Sequence, residues 1–292
     1  MSKVRIAFDA DNHLGETPAW SAGEQALYWV NCEHPPELHR WHPESGDHRV
    51  WPMPKRIGGF VFKESGGLLV ALKDGVYDFD LETCALDLRA PSPFPEHVNL
   101  HECCTDRQGR FWIGGYDTRY PGDRNAMDAG YCRLEGNRLV KEAGEVHVSN
   151  GLAFGANGRT MYGTGTPTRR VDAWDLDPAT GKLSNRREYI TLPDGEGFAD
   201  GATVDAEGGY WLANVGAGAL RRYLPDGTLD RIEPLTFSFP TKPAFGGPDM
   251  KTLFVTSGKN SAPGGIPDAV PGGPVFALEP GETGIPELPF AG

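Results

Sequence analysis

The stretch ADGATVDAEGGYWLAN, residues 199–214, decides how the rest of the chain is read. A short alternating run reaches Val204, a glycine-bearing turn follows, and an aromatic and β-branched run leads out again, which is the pattern of two antiparallel strands joined tightly. The same pattern recurs as ETPAWSAGEQALYWVN from Glu16, GGFVFKESGGLLVAL from Gly58, HECCTDRQGRFWIGG from His101, NGLAFGANGRTMYGT from Asn150 and TKPAFGGPDMKTLFVT from Thr241. The starts fall roughly 40 to 50 residues apart, within the range of propeller blades. The fifth position of each unit is Trp20, Phe62, Thr105, Phe154, Val204 or Phe245, mostly apolar side chains suited to packing between sheets. Further along, LHRWHPESG, VYDFDLETC, VDAWDLDPATG and LRRYLPDG supply another strand and turn, with no amphipathic helical period between units.

An all-β, six-bladed β-propeller is therefore predicted, as a single domain over residues 1–292 with no linker. Closing the ring protects the sheet edges, and the segment VRIAF near the N-terminus is expected to pair with PVFAL near the C-terminus in the last blade. Composition agrees: 39 Gly and 25 Pro among 292 residues imply frequent turns and short elements. The net charge of −12, with no basic block, argues against nucleic acid or an anionic membrane as a partner and for a small molecule. The opening residues MSKVRIAFDADNH contain no apolar leader, and no run approaches a membrane span of roughly 18 apolar residues, so a cytoplasmic protein is expected. Five cysteines without a CxxC pair are read as reduced thiols.

Symmetry turns equivalent positions into a ring. The first residues of the units are Glu16, Gly58, His101, Asn150, Asp200 and Thr241, and four of these six can bind a metal or move a proton. Each alone has an ordinary structural reading, but two carboxylates, an amide and an imidazole in register are predicted to converge at one mouth of the channel. Carboxylates that meet repel unless a cation lies between them. Oxygen donors suit Ca, Mg or Mn, and a nearby imidazole extends the choice to Zn or Fe. There is no G-x-S-x-G elbow and no H-E-x-x-H helix.

At these residues the chain resembles the senescence-marker-protein (SMP-30)/gluconolactonase family, which includes regucalcin and bacterial sugar lactonases. The resemblance is carried by LGETPAW at Leu14, ALYWVN at Ala26, DRQGRFWIGG at Asp106, SNGLAF at Ser149, ADGATVDAEGGYW at Ala199 and TKPAFGGPDMKTLFVT at Thr241. It implies one divalent metal held by Glu16, Asn150 and Asp200, and opening of a sugar lactone with Asp200 assisting proton transfer. Where the family reads Arg-x-Asn-Asp, this chain has Asn99-Leu100-His101-Glu102, and Arg119 stands near a family carboxylate. Asn99, His101, Glu102 and Arg119 are accordingly the expected substrate contacts, with Arg119 suited to a carboxylated lactone. Two other functions fit the same residues: a calcium-binding regulatory protein, and a hydrolase of other esters or phosphotriesters.

Overall fold

In the computed structural model, which describes residues 3–259 and 269–292, every regular element is a β-strand. The predicted all-β class holds. The strands form antiparallel meanders of four, ordered as in Gly15–Ser21, Ala26–Asn31, Glu37–Trp41 and His48–Pro52. Four such sheets are separate. Two further meanders, starting at Val98–Thr105 and Val148–Phe154, join into one eight-stranded sheet, because the strand Phe111–Asp117 runs on until Tyr116 pairs with Val148.

Burial explains the strand compositions. Second strands such as Leu68–Leu72 and Tyr210–Val215 are buried throughout and are apolar but for Asn214, whose amide is hydrogen-bonded. Fourth strands such as His48–Pro52 and Leu229–Pro234 are mostly exposed and carry the charge. The first strands of successive meanders pack against one another, and that of the last, Pro240–Gly246, packs against Gly15–Ser21 of the first. The chain closes where expected: Arg5, Ile6 and Phe8 pair with Ala277, Phe276 and Val275.

Each first strand carries a register shift beside its ring position, at Glu16/Ala19, Ile57/Gly59, His101/Cys103, Asn150/Ala153, Ala199/Ala202 and Pro240/Pro243. A bulge breaks strict alternation and re-aims side chains. Thr17 and Glu102 take positive φ there, 47° in both cases, a conformation that costs an L-residue roughly 1–2 kcal/mol. Gly151, at φ 65°, has the Tyr210 hydroxyl only 2.6 Å from where a Cβ would sit.

The two ends of the first strands differ. Beyond the ring end lie the longer connections, including residues 118–128 between the strands Phe111–Asp117 and Ala129–Glu135. Past the other end, the C-terminal segment crosses the tight turns of several meanders: Gly284 N donates to Met250 O, Ala206 N to Thr283 O, Thr105 Oγ1 to Leu288 O and Ala291 N to Gly109 O. That segment covers the end of the bundle opposite the ring positions.

Candidate active site

Glu16, His101, Asn150 and Asp200 are all buried, with 2–8% of their surface exposed, and they act on one another or on shared charged neighbours. Four first strands deliver them, so no local segment could form the group alone. Gly58 contributes no side chain, since a Cβ there would lie 2.3 Å from Leu100 O. Thr241 is structural: its hydroxyl donates to Gly15 O at 2.5 Å, tying the last meander to the first.

The electrostatics are those of crowded acids. Burial and then the Glu102 carboxylate raise the pKa of Glu16, while Lys242, the Thr17 amide and Arg56 oppose the rise. Asp200 is raised well above the carboxylate range by burial, then by Glu16 and Glu102. Beneath them Lys242 Nζ donates to Glu102 Oε1 at 3.0 Å, and Leu152 N donates to Oε2 at 3.0 Å. Both Glu102 oxygens are thus occupied by protein groups. The Glu102–Lys242 pair joins the third meander to the sixth, so it crosses the bundle below the ring residues.

His101 is neutral, its pKa lowered to about 3 by burial and by the positive charges of Arg56 and Lys242. Arg56 Nη2 lies 3.3 Å from His101 Nδ1, Nη1 donates to Leu100 O at 3.2 Å, and the guanidinium sits over the Tyr116 ring at 5.6 Å. Glu33 Oε2 approaches Arg56 Nε at 3.4 Å. Asn99, half-buried, pairs with Tyr116 in the same strand ladder. Arg119 stands in a separate cluster, its guanidinium bonded to Asp117 and Asp128 at 2.7 Å each, with His97 Nε2 2.8 Å from Asp128. Those three acidic and imidazole groups come close enough to hold a cation, and the Arg119 guanidinium already bridges the two carboxylates.

The ring residues suit a divalent metal. Asn150 Nδ2 donates to Thr166 Oγ1 at 3.0 Å, which in turn donates to Ala199 O, so the amide orientation is set. Its Oδ1 is buried without a hydrogen bond of regular geometry, although the amide also acts on the His101 ring. A buried acceptor without a full partner, in one ring with two buried carboxylates of raised pKa, the first of which raises the second, is the environment a cation relieves. The three oxygen donors would come from Glu16, Asn150 and Asp200, matching a hard cation.

Residues 14–259 match the family described as SMP-30/gluconolactonase/LRE-like region. The chain belongs to this family. Among its SMP-30/gluconolactonase relatives are the 6-deoxy-6-sulfogluconolactonase of Pseudomonas putida, 36% identical with 96% of this chain and 95% of the relative aligned, and a pentonolactonase of Haloferax volcanii, 33% identical over 99% and 98%. A solved calcium-binding protein, regucalcin, from Agrobacterium tumefaciens superposes with a TM-score of 0.89 at 25% identity, over 99% of this chain and 97% of that one. Two groups that act on the candidate site were not legible in the repeat. Arg56 precedes the aligned unit that starts at Gly58, and Lys242 follows a ring position, where the repeat drew no attention to it. The signal for Lys242 was a lone lysine inside an otherwise apolar first strand. For Arg56 there was none, since its partner His101 is 45 residues away.

Proposed function

We propose that this protein hydrolyses the lactone of a sugar acid, an aldonolactone or a related carboxylated lactone, with one divalent metal held by Glu16, Asn150 and Asp200. In this reading residues 1–292 form one domain, and the six meanders are the blades of a propeller with the site at its open mouth. The observation that carries the proposal is that Asn150 Oδ1 is buried and not fully satisfied while burial raises the pKa of both Glu16 and Asp200, with Glu16 adding to the rise at Asp200. The lactonase names of relatives that align over nearly the whole chain support the same reaction.

When bound, the cation supplies Lewis-acid polarisation and a more acidic water. The protein's own groups do the rest. Asp200 takes the proton from the attacking water and returns it to the ring oxygen as the acyl C–O bond breaks, and its buried position beside Glu16 raises its affinity for that proton. Lys242 limits the rise, keeping the group usable as a base. Asn99 and His101 lie where a sugar hydroxyl or the lactone oxygens would contact them. Glu102, with both oxygens bonded inside the protein, acts through its charge. Arg119 reaches a substrate carboxylate only by sharing its charge with Asp117 and Asp128.

The test combines metal analysis of the purified protein with a panel of sugar lactones, aryl esters and phosphotriesters, followed by acid release with a pH indicator. Lactones should turn over fastest, and removing the metal should abolish turnover. Asp200→Asn keeps the shape of the side chain and removes its charge and basicity, so kcat should fall by about 10²-fold or more with folding retained. Near-normal turnover in that variant excludes Asp200 as base and ligand. Lactone hydrolysis that survives complete metal removal would leave the cation a structural or sensory role.

A further inference from the structure

We infer that Arg56 is a positioning residue that fixes the tautomer of His101, so that the imidazole presents Nε2–H to the site and is denied to the metal as a ligand. The inference rests on the metal site of the proposed function and adds a residue outside the ring positions. Its basis is the contact of Arg56 Nη2 with His101 Nδ1 at 3.3 Å. A guanidinium has donors only and stays charged, so the imidazole nitrogen facing it must offer a lone pair. In a neutral ring the proton is then on Nε2.

The guanidinium is held in place from several sides. Nη1 donates to Leu100 O at 3.2 Å, the Tyr116 ring lies under it, and the Glu33 carboxylate is 3.4 Å from Nε. Its backbone is anchored as well, with Lys73 N donating to Arg56 O at 2.9 Å. The arginine side chain is only 9% exposed, so it is packed into this position. His101 could ligate a metal through Nε2 only by moving its proton to Nδ1, where it would point at the Arg56 donors. Ligation through Nδ1 would require displacing them. Either route sets an N–H or a metal against a fixed cation, so the site keeps its oxygen donors and the ring becomes a hydrogen-bond donor for a substrate oxygen.

Two measurements test this without substrate. In the metal-free protein, nitrogen-15 NMR of the His101 ring should show a protonated Nε2 and an unprotonated Nδ1, and a ring protonated at Nδ1 overturns the inference. Then Zn and Mn affinities are compared by calorimetry in wild type, Arg56→Met and Arg56→Lys. Loss of the guanidinium should raise the Zn-to-Mn affinity ratio by at least about tenfold, with Arg56→Lys, which keeps a donor, near wild type. Adding His101→Asn to Arg56→Met should cancel the gain. An unchanged ratio in Arg56→Met overturns the inference. Should Arg56→Met fail to fold, the wild-type ring spectrum still decides. Absence of lactone turnover would sink the proposed reaction while leaving both measurements in place, and a protein that bound neither metal would sink the metal site and the ligation claim with it.

Discussion

Asp117 receives four hydrogen bonds, from Arg119 N, Nε and Nη2 and from Asp128 N, at 2.7–3.1 Å. The Arg119 guanidinium is the first cause of its pKa being held down to about 2. A carboxylate whose folded pKa lies below its unfolded value of 3.8 adds stability above that unfolded value, and the gain is lost as pH falls through the folded one. Arg119→Ala should therefore lower Tm at neutral pH, and the gap to wild type should close between about pH 4 and pH 2. Thermal unfolding scans across that interval check it, and a gap undiminished between pH 4 and pH 2 would refute the linkage. Legibility at this scale was uneven. Glu16, Asn150, Asp200 and His101 were readable because each opens a repeat unit, whereas the hold of Asp117 and Asp128 on Arg119 depends on a loop that no repeat describes.

Two elements of the same kind stabilise the second strands. In the turn that begins at Asp205, Oδ1 accepts from Glu207 N and Gly209 N while Oδ2 accepts from Trp211 Nε1 and Arg222 Nε. The turn at Asp106 repeats this with Gln108 N, Arg110 N, Trp112 Nε1 and Arg110 Nε. Trp112 and Trp211 are wholly buried, so the aspartate satisfies an indole N–H that would otherwise be stranded. Trp211→Ala should cost about 3–5 kcal/mol, as for other large core truncations. Asp205→Ala should cost about 1–3 kcal/mol, because it strands the indole N–H while Arg222 keeps Glu207 and Asp230 as partners. Denaturant unfolding measures both, and a loss below about 1 kcal/mol in either would show that the turn contributes little. The strand–turn–strand element was legible from DAEGGYW; the bulges were not, since no residue type marks all six of them.

For the whole molecule, closure is achieved at two places. The N-terminal strand completes the last sheet through Arg5, Ile6 and Phe8, and the C-terminal segment covers the end opposite the ring, with Phe290 buried in the apolar cluster that also holds Val61 and Leu134. Removing residues 280–292 should lower Tm by several degrees, because apolar surface and the bonds to Thr105, Gly109 and Phe62 are lost together. Metal affinity should change little, since no predicted ligand touches that segment. Calorimetry of the truncated chain checks both, and an unchanged Tm would mean the segment rests on the bundle without stabilising it.

The amino-acid sequence by itself determined the repeat, the all-β class, the pairing of the two chain ends and the six equivalent positions that head the units. These follow from local period and turn chemistry, which act within a few tens of residues. Only the tertiary structure decided how the six meanders divide into sheets, where the bulges aim each side chain, and that Lys242 and Glu102 pair across the bundle while Arg56 faces His101. Such contacts join residues 45 to 140 apart, and the repeat, which aligns equivalent positions, does not say which side chains of different units touch. They depend on which strands pack side by side once the ring has closed.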